Sequence, residues 1–234
     1  MTGAPGGTEY PQHRFAPPPG AADVLLVRHG QSAAARPEEP FPLVDGQGDP
    51  PLSPLGHEQA AAVGRRLADA GVDAVYVTTL RRTRETAQPL LDATGLEPHV
   101  EADLREVHLG EWEGGEFRRH VAERHPVALR MLAEERWDVI PGAESAESLA
   151  ARVRSALTRI AAAHPGGRVA VVTHGGVIGQ ALALATGSRP FAFAGTDNAS
   201  ISQLVLTGDR WLLRRFNDTA HLADDLTRAG AAPT

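Results

Sequence analysis

The chain has 234 residues, a length that suits one α/β domain of ordinary size or two small ones, with ample sequence for a buried core. Its 23 basic and 29 acidic residues give a net charge of −6, so it lacks the basic field that nucleic acid or an anionic membrane would require. Every basic residue is Arg and there is no Cys, which excludes Walker-type phosphate loops, lysine Schiff bases, thiolate nucleophiles, iron–sulfur ligation and cysteine zinc sites.

Residues 1–22 mix Pro, Gly and isolated polar residues without an apolar stretch, and read as a flexible tail rather than a secretory signal. Asp23-Val-Leu-Leu-Val27 is a short apolar run of branched residues, the pattern of a strand buried on both faces. Arg28, His29 and Gly30 follow at its C-terminal end. From Arg36 to Pro51 the chain is crowded with Pro, Gly and Asp and reads as a long loop. Ser53-Pro54 supplies an N-cap and a first-turn proline for a helix that runs towards Gly71. Asp73 to Val77 is the second expected strand. Leu80 to Ala93 is the second helix, closed by Gly95, and a short third strand is expected over His99 to Glu101.

Residues 104–141 are charged, carry Trp112 and Trp137 and lose regular periodicity, which marks a candidate insertion or lid. Ser145-x-x-Ser148 followed by Leu149, Val153, Leu157 and Ile160 gives a long amphipathic helix. Arg168 to Thr173 is another buried strand, running directly into His174-Gly175-Gly176 and a helix over Val177 to Ala185. The apolar run that begins at Val169 is interrupted by His174 and glycines, too short and too polar at its centre to span a membrane. Ser200 to Leu206 and Trp211 to Phe216, joined at Gly208-Asp209, read as a hairpin. Repeated β-then-α order implies a three-layer αβα sandwich around a mostly parallel sheet with an antiparallel strand, plus the small helical insertion. The domain is expected over 23–222, followed by a C-terminal tail over 223–234. The chain reads as soluble and cytoplasmic.

In such sheets ligands bind beyond the C-terminal strand edge, where His29 and His174 are both expected. Arg28-His29-Gly30 sets a guanidinium, an imidazole and a bare backbone side by side, a combination suited to a phosphate. A metal is the competing reading. Two histidines without a spaced carboxylate or Cys lack the usual ligand set, and His108 is the residue that would complete it.

Four segments, in order, resemble the histidine phosphatase superfamily, the group that includes cofactor-dependent phosphoglycerate mutases. They are Leu26-Val-Arg-His-Gly-Gln-Ser32, Thr78-Thr-Leu-Arg-Arg82 with Thr86-Ala87, Leu104-Arg-Glu106 continuing to Gly114, and Val172-Thr-His174-Gly-Gly176. The stretch Asp49 to Ala60 also looks like the family's first helix start. The resemblance implies that His29 is the nucleophile that becomes phosphohistidine. It places Arg28, Arg82 and His174 around the phosphoryl oxygens, and makes Glu106 the acid that protonates the leaving alkoxide. Register against Thr86-Ala87 favours Arg82 over Arg81. Many relatives carry Asn seven residues after the first Arg, where this chain has Ala35; Gln31, Ser32 or the Gly175 amide could supply that contact. The region after the first motif also departs from the glycolytic mutases. The expected activity is therefore hydrolysis of a small phosphorylated metabolite without metal or other cofactor, with mutase transfer and non-catalytic phosphate binding as alternatives. Dimers are common among relatives, so a homodimer is compatible with the resemblance. His221 either docks the C-terminal segment near the site or caps it.

Overall fold

The computed structural model describes residues 10–222. Residues 1–9 of the expected N-terminal tail and the whole expected tail over 223–234 lie outside the described residues. The first strand, β1 (Ala22–Arg28), is buried along almost its whole length. The loop that follows contains a two-stranded ribbon, β2 (Leu43–Val44) with β3 (Gln47–Gly48), which Pro and Gly content alone does not announce. Helix α1 (Pro54–Leu67) starts as expected, with the Ser53 side chain accepting from the Gly56 N–H. It stops short of Gly71. Then come β4 (Ala74–Val77), α2 (Arg81–Thr94) ending in left-handed Gly95, and β5 (Pro98–Val100).

The insertion holds α3 (Glu116–Ala122) and α4 (Pro126–Glu134) with short 3₁₀ turns between Gly110 and Gly115 and between Trp137 and Val139. Its apolar residues, Trp112, Phe117, Ala128, Met131, Val139 and Ile140, bury one another as a small separate core. The chain returns through α5 (Ala146–Ala163), β6 (Arg168–Thr173) and α6 (Gly175–Thr186) to the hairpin β7 (Ile201–Thr207) and β8 (Arg210–Asp218).

The sheet order is β5-β4-β6-β1-β7-β8. Pairings β4 with β5, β4 with β6 and β1 with β6 are parallel, whereas β7 is antiparallel to both its neighbours. Thus β7 is the one strand of this sheet that runs against the rest, as the sequence pattern implied. Side chains alternate across the sheet. Val24, Leu26, Val169 and Val171 pack with α5 and α6 residues such as Leu149, Leu157 and Ile178. Leu25, Val27, Ala170 and Val172 pack with Val63 and Leu67 of α1 and Leu90 of α2. Both central strands are therefore apolar on both faces, and polar side chains enter only where the strands end. Residue Arg28 is in register with Thr173, so the two residues that follow, His29 and His174, emerge side by side.

The turn out of β1 is pressed against the start of α1. A Cβ on Gly30 would lie 2.5 Å from the Gly56 carbonyl oxygen, and one on Gly56 would lie 2.0 Å from that of Gln31. Both neighbours are backbone, so neither can swing aside. Gly56→Ala should therefore destabilise the fold by about 1–3 kcal/mol, a loss that thermal unfolding would register as a drop of several degrees. An unchanged midpoint would mean that this contact relaxes at no cost.

Candidate active site

His29 is buried just beyond β1, and its backbone N–H donates to the Thr173 carbonyl at 2.9 Å. Its Nδ1 lies 2.7 Å from the Gly30 carbonyl oxygen. A carbonyl only accepts, so Nδ1 carries the proton and Nε2 keeps its lone pair. That lone pair faces Arg82, whose Nε donates to His29 Nε2 at 3.2 Å. The other Arg82 arm, Nη1, donates to the Gly48 carbonyl at 2.9 Å and lies 3.9 Å from Asp49. Arg28 donates to the Thr196 carbonyl.

His174 has no exposure to solvent, and its ring meets that of His29 edge to face with centroids 5.2 Å apart. Its Nε2 lies 3.1 Å from Thr78 Oγ1, and its Nδ1 is buried without a hydrogen-bond partner. Thr78 is in turn locked by Thr83, 3.2 Å away, at the start of α2. The family-like second segment thus delivers two things to one place: Arg82 towards His29, and a hydroxyl that orients His174.

Charge is concentrated here with little water to screen it. Burial, then Arg82 and Arg28, hold His29 well below the ordinary histidine value. Burial, Arg82 and His29 do the same to His174. Burial also lowers the two guanidiniums, and the Glu106 carboxylate opposes that effect at both. Glu106 reaches the cluster from the start of the insertion. Its Oε1 accepts from the Val107 N–H at 2.9 Å and from the Gly176 N–H, in the first turn of α6, at 3.1 Å. A Cβ on Gly176 would stand 2.7 Å from that same oxygen, so the second glycine after His174 is what admits the carboxylate.

Arg28, His29, Arg82, Glu106 and Gly175 line a single cavity, and His174 packs behind His29. Two expected contacts go elsewhere. Gln31 is exposed, and its side-chain carbonyl accepts from Ser53 Oγ at 2.8 Å, so it serves the start of α1. Ser32 is buried, but its Oγ accepts from Arg118 Nη2 at 2.6 Å. Arg118 also donates to the Ala33 carbonyl at 2.7 Å, and it lines the cavity. Burial, then Arg82 and Arg28, bring its guanidinium down to about 10. The sequence reading missed this cation among the arginines of the insertion. Its neighbour Arg119 pairs with Glu116, and Arg130 with Glu134. The signal that could have found it is Ala35: a Cβ on Gly115 would come within 3.0 Å of the Ala35 Cβ, so a small residue there lets the α3 start, and hence Arg118, come close.

Arg81 pairs with Glu85 at 2.9 Å while Arg82 faces His29. Glu113 accepts from the Gly48 and Leu109 N–H groups, both at 2.8 Å. His221 lies 3.0 Å from the Ala199 carbonyl, and Ala199 itself donates to the carbonyls of Arg28 and His29. The short turn Ala220–Leu222 is therefore docked one residue away from the turn that carries the imidazole. His108 accepts from the Gly110 N–H at 3.2 Å, apart from the two central rings, and among the described residues no group of three or more His, Asp or Glu is poised to hold a metal ion.

The model of the histidine phosphatase superfamily (branch 1) matches residues 24–219. The chain belongs to that superfamily. It is 35% identical over 210 residues to phosphoglycerate mutase-like protein 4 of Arabidopsis thaliana, covering 87% of this chain and 88% of that protein. It is 34% identical over 208 residues to a metal-independent phosphoserine phosphatase of the same plant, covering 86% and 83%. Among solved structures, a mycobacterial glucosyl-3-phosphoglycerate phosphatase superimposes with a TM-score of 0.69 at 30% identity, over 83% of this chain and 98% of that one. Family and relatives together make this histidine phosphatase an enzyme of the phosphatase type.

The two neutral histidines also couple stability to pH. Unfolded, each would titrate near 6.5; folded, each stays uncharged to lower pH, so below that value the unfolded chain binds more protons. Stability should thus be complete above about pH 6.5 and fall below it by up to roughly 1.4 kcal/mol per pH unit for each ring. Urea unfolding at pH 7.5 and 5.5 would measure this. His174→Gln should flatten the slope, and a slope untouched by both His29→Gln and His174→Gln would contradict neutral burial.

Proposed function

We propose that this histidine phosphatase is a metal-independent phosphomonoester hydrolase that transfers the phosphoryl group of a small, soluble, cytoplasmic metabolite to His29 and then to water. The observation that carries the reading is the His29 tautomer. Its Nδ1–H is committed to the Gly30 carbonyl, leaving Nε2 unprotonated and directed at a guanidinium. A phosphoryl group taking Arg82's place at Nε2 would lie among Arg28, Arg82 and His174, donors suited to three equatorial oxygens.

In the first step Nε2 forms a bond to phosphorus as the P–O bond to the alcohol breaks, and Glu106 gives its proton to the leaving oxygen. In the second, water attacks phosphorus, Glu106 takes a proton from it, and the P–N bond breaks to return neutral His29 and inorganic phosphate. Arg118 supplies the donor that Ala35 cannot, with Ser32 and the Ala33 carbonyl holding it in place. Relatives named as phosphatases support hydrolysis. The departure from mutases after the first motif favours it over transfer within the substrate. Among the described residues no helix is long and apolar enough to cross a membrane.

With excess EDTA present, the purified protein should still hydrolyse p-nitrophenyl phosphate, and His29→Ala should abolish turnover while leaving the circular dichroism spectrum intact. Equal activity in that variant would remove His29 from the reaction. Losing one oxyanion donor costs about 10²–10³ in rate, so Arg118→Ala should lower kcat/KM by that order. Ser32→Ala should lower it less, because the Ala33 carbonyl still holds the guanidinium. An Arg118→Ala enzyme with wild-type kinetics would confine that residue to packing. Release of inorganic phosphate should outpace any positional isomerisation of a phosphoglycerate; the reverse ratio would mark a mutase.

A further inference from the structure

The same cavity continues outward from the phosphate end, and its chemistry changes abruptly. Its far walls are Phe41 from the loop before β2, Trp112, Phe117 and Trp137 from the insertion, and Phe191 from the loop after α6. Trp112, Phe117, Trp137 and Phe191 form a connected lining, with centroids 6.3 Å apart for Trp112 and Phe117, 6.0 Å for Phe117 and Trp137, and 4.8 Å for Trp137 and Phe191. Three separate chain segments contribute aromatic side chains to one concave surface, although aromatic residues are only 5% of the sequence.

Several of the polar groups along it are engaged by the protein itself. Both Glu113 oxygens accept backbone N–H groups, Gln47 donates to the Glu106 carbonyl at 2.6 Å, and Arg118 donates to Ser32 while its guanidinium lies 5.3 Å from the centroid of the Phe41 ring. Gln180 adds one further amide. Apart from Arg118, insertion arginines such as Arg119, Arg130 and Arg136 pair with the carboxylates of Glu116, Glu134 and Asp138. A sugar or amino-acid head group placed here would exchange water for ring faces and leave hydroxyl, ammonium or carboxylate groups unpaired. An apolar group would lose nothing. The whole cavity, its charged end included, holds about 150 Å³, which restricts the alcohol part to a small group.

We infer that the preferred substrate is a phosphomonoester of an apolar, ring-bearing alcohol, whose phosphoryl group sits at His29 while its hydrocarbon part lies against Trp137 and Phe191. This rests on the hydrolase reading above and names the substrate class of that same site. The aromatic wall acts on selection among esters, and the guanidinium cluster acts on all of them alike.

The test compares kcat/KM for esters of primary alcohols, so that leaving-group reactivity is matched: 2-phenylethyl phosphate against glycerol 3-phosphate, glucose 6-phosphate and O-phosphoserine. The aromatic ester should be preferred by about 10–10²-fold. Phe191→Ala should cut that preference about tenfold, mainly through KM for the aromatic ester. Leu132→Gln changes a wall residue that is 38% exposed on α4, and provides the same test should the first variant fold poorly. Turnover of O-phosphoserine or a sugar phosphate at equal or higher kcat/KM overturns the apolar assignment and leaves hydrolysis standing. A preference unchanged in both variants overturns the role of the wall. If no ester, p-nitrophenyl phosphate included, is turned over and His29 takes up no phosphate, the hydrolase reading falls, and this inference with it.

Discussion

One hydrogen bond organises the site: the Nδ1–H of His29 donating to the carbonyl of the next residue, Gly30. It fixes the tautomer, and so decides which nitrogen is bare. The ring can take that position because Gly30 lacks a side chain that would strike the start of α1. Arg82 then has something to face, and the parallel neighbour β6 brings His174 against the same ring from the other side. Two imidazoles among three guanidiniums would repel if charged, so burial and cationic surroundings favour the same uncharged form.

The sheet is the reason these groups can meet. Strands β1 and β6 are apolar on both faces and in register to their last residues, so their first polar positions fall at one edge. Helix α6 begins immediately after His174 and offers its Gly176 N–H to Glu106. The carboxylate therefore reaches the cluster because the helix start accepts it, and the insertion that carries Glu106 is tied to the central layer at this point.

The regular part of this arrangement was legible in the sequence because its signals are local. Branched apolar runs mark β1 and β6, Ser53-Pro54 marks the start of α1, and Gly95 marks the end of α2. Arg82, rather than Arg81, was also readable, from register against Thr86 and Ala87. What stayed hidden depends on contacts between distant segments. Nothing near Arg118 distinguishes it from Arg119, since only tertiary packing turns the first towards Ser32 and pairs the second with Glu116. Gln31 and Ser32 sit beside the imidazole in sequence, yet the chain direction after Gly30 points them at Ser53 and Arg118. The aromatic wall was hidden for the same reason, its rings coming from residues 41, 112, 117, 137 and 191.

The small ribbon formed by β2 and β3 joins two parts that would otherwise be separate. At Gly48 the carbonyl accepts from Arg82, and the amide of the same residue donates to Glu113 of the insertion. The insertion and the Arg82 guanidinium are thus anchored to the same residue of the ribbon, so the spacing between helical roof and imidazole is set at Gly48.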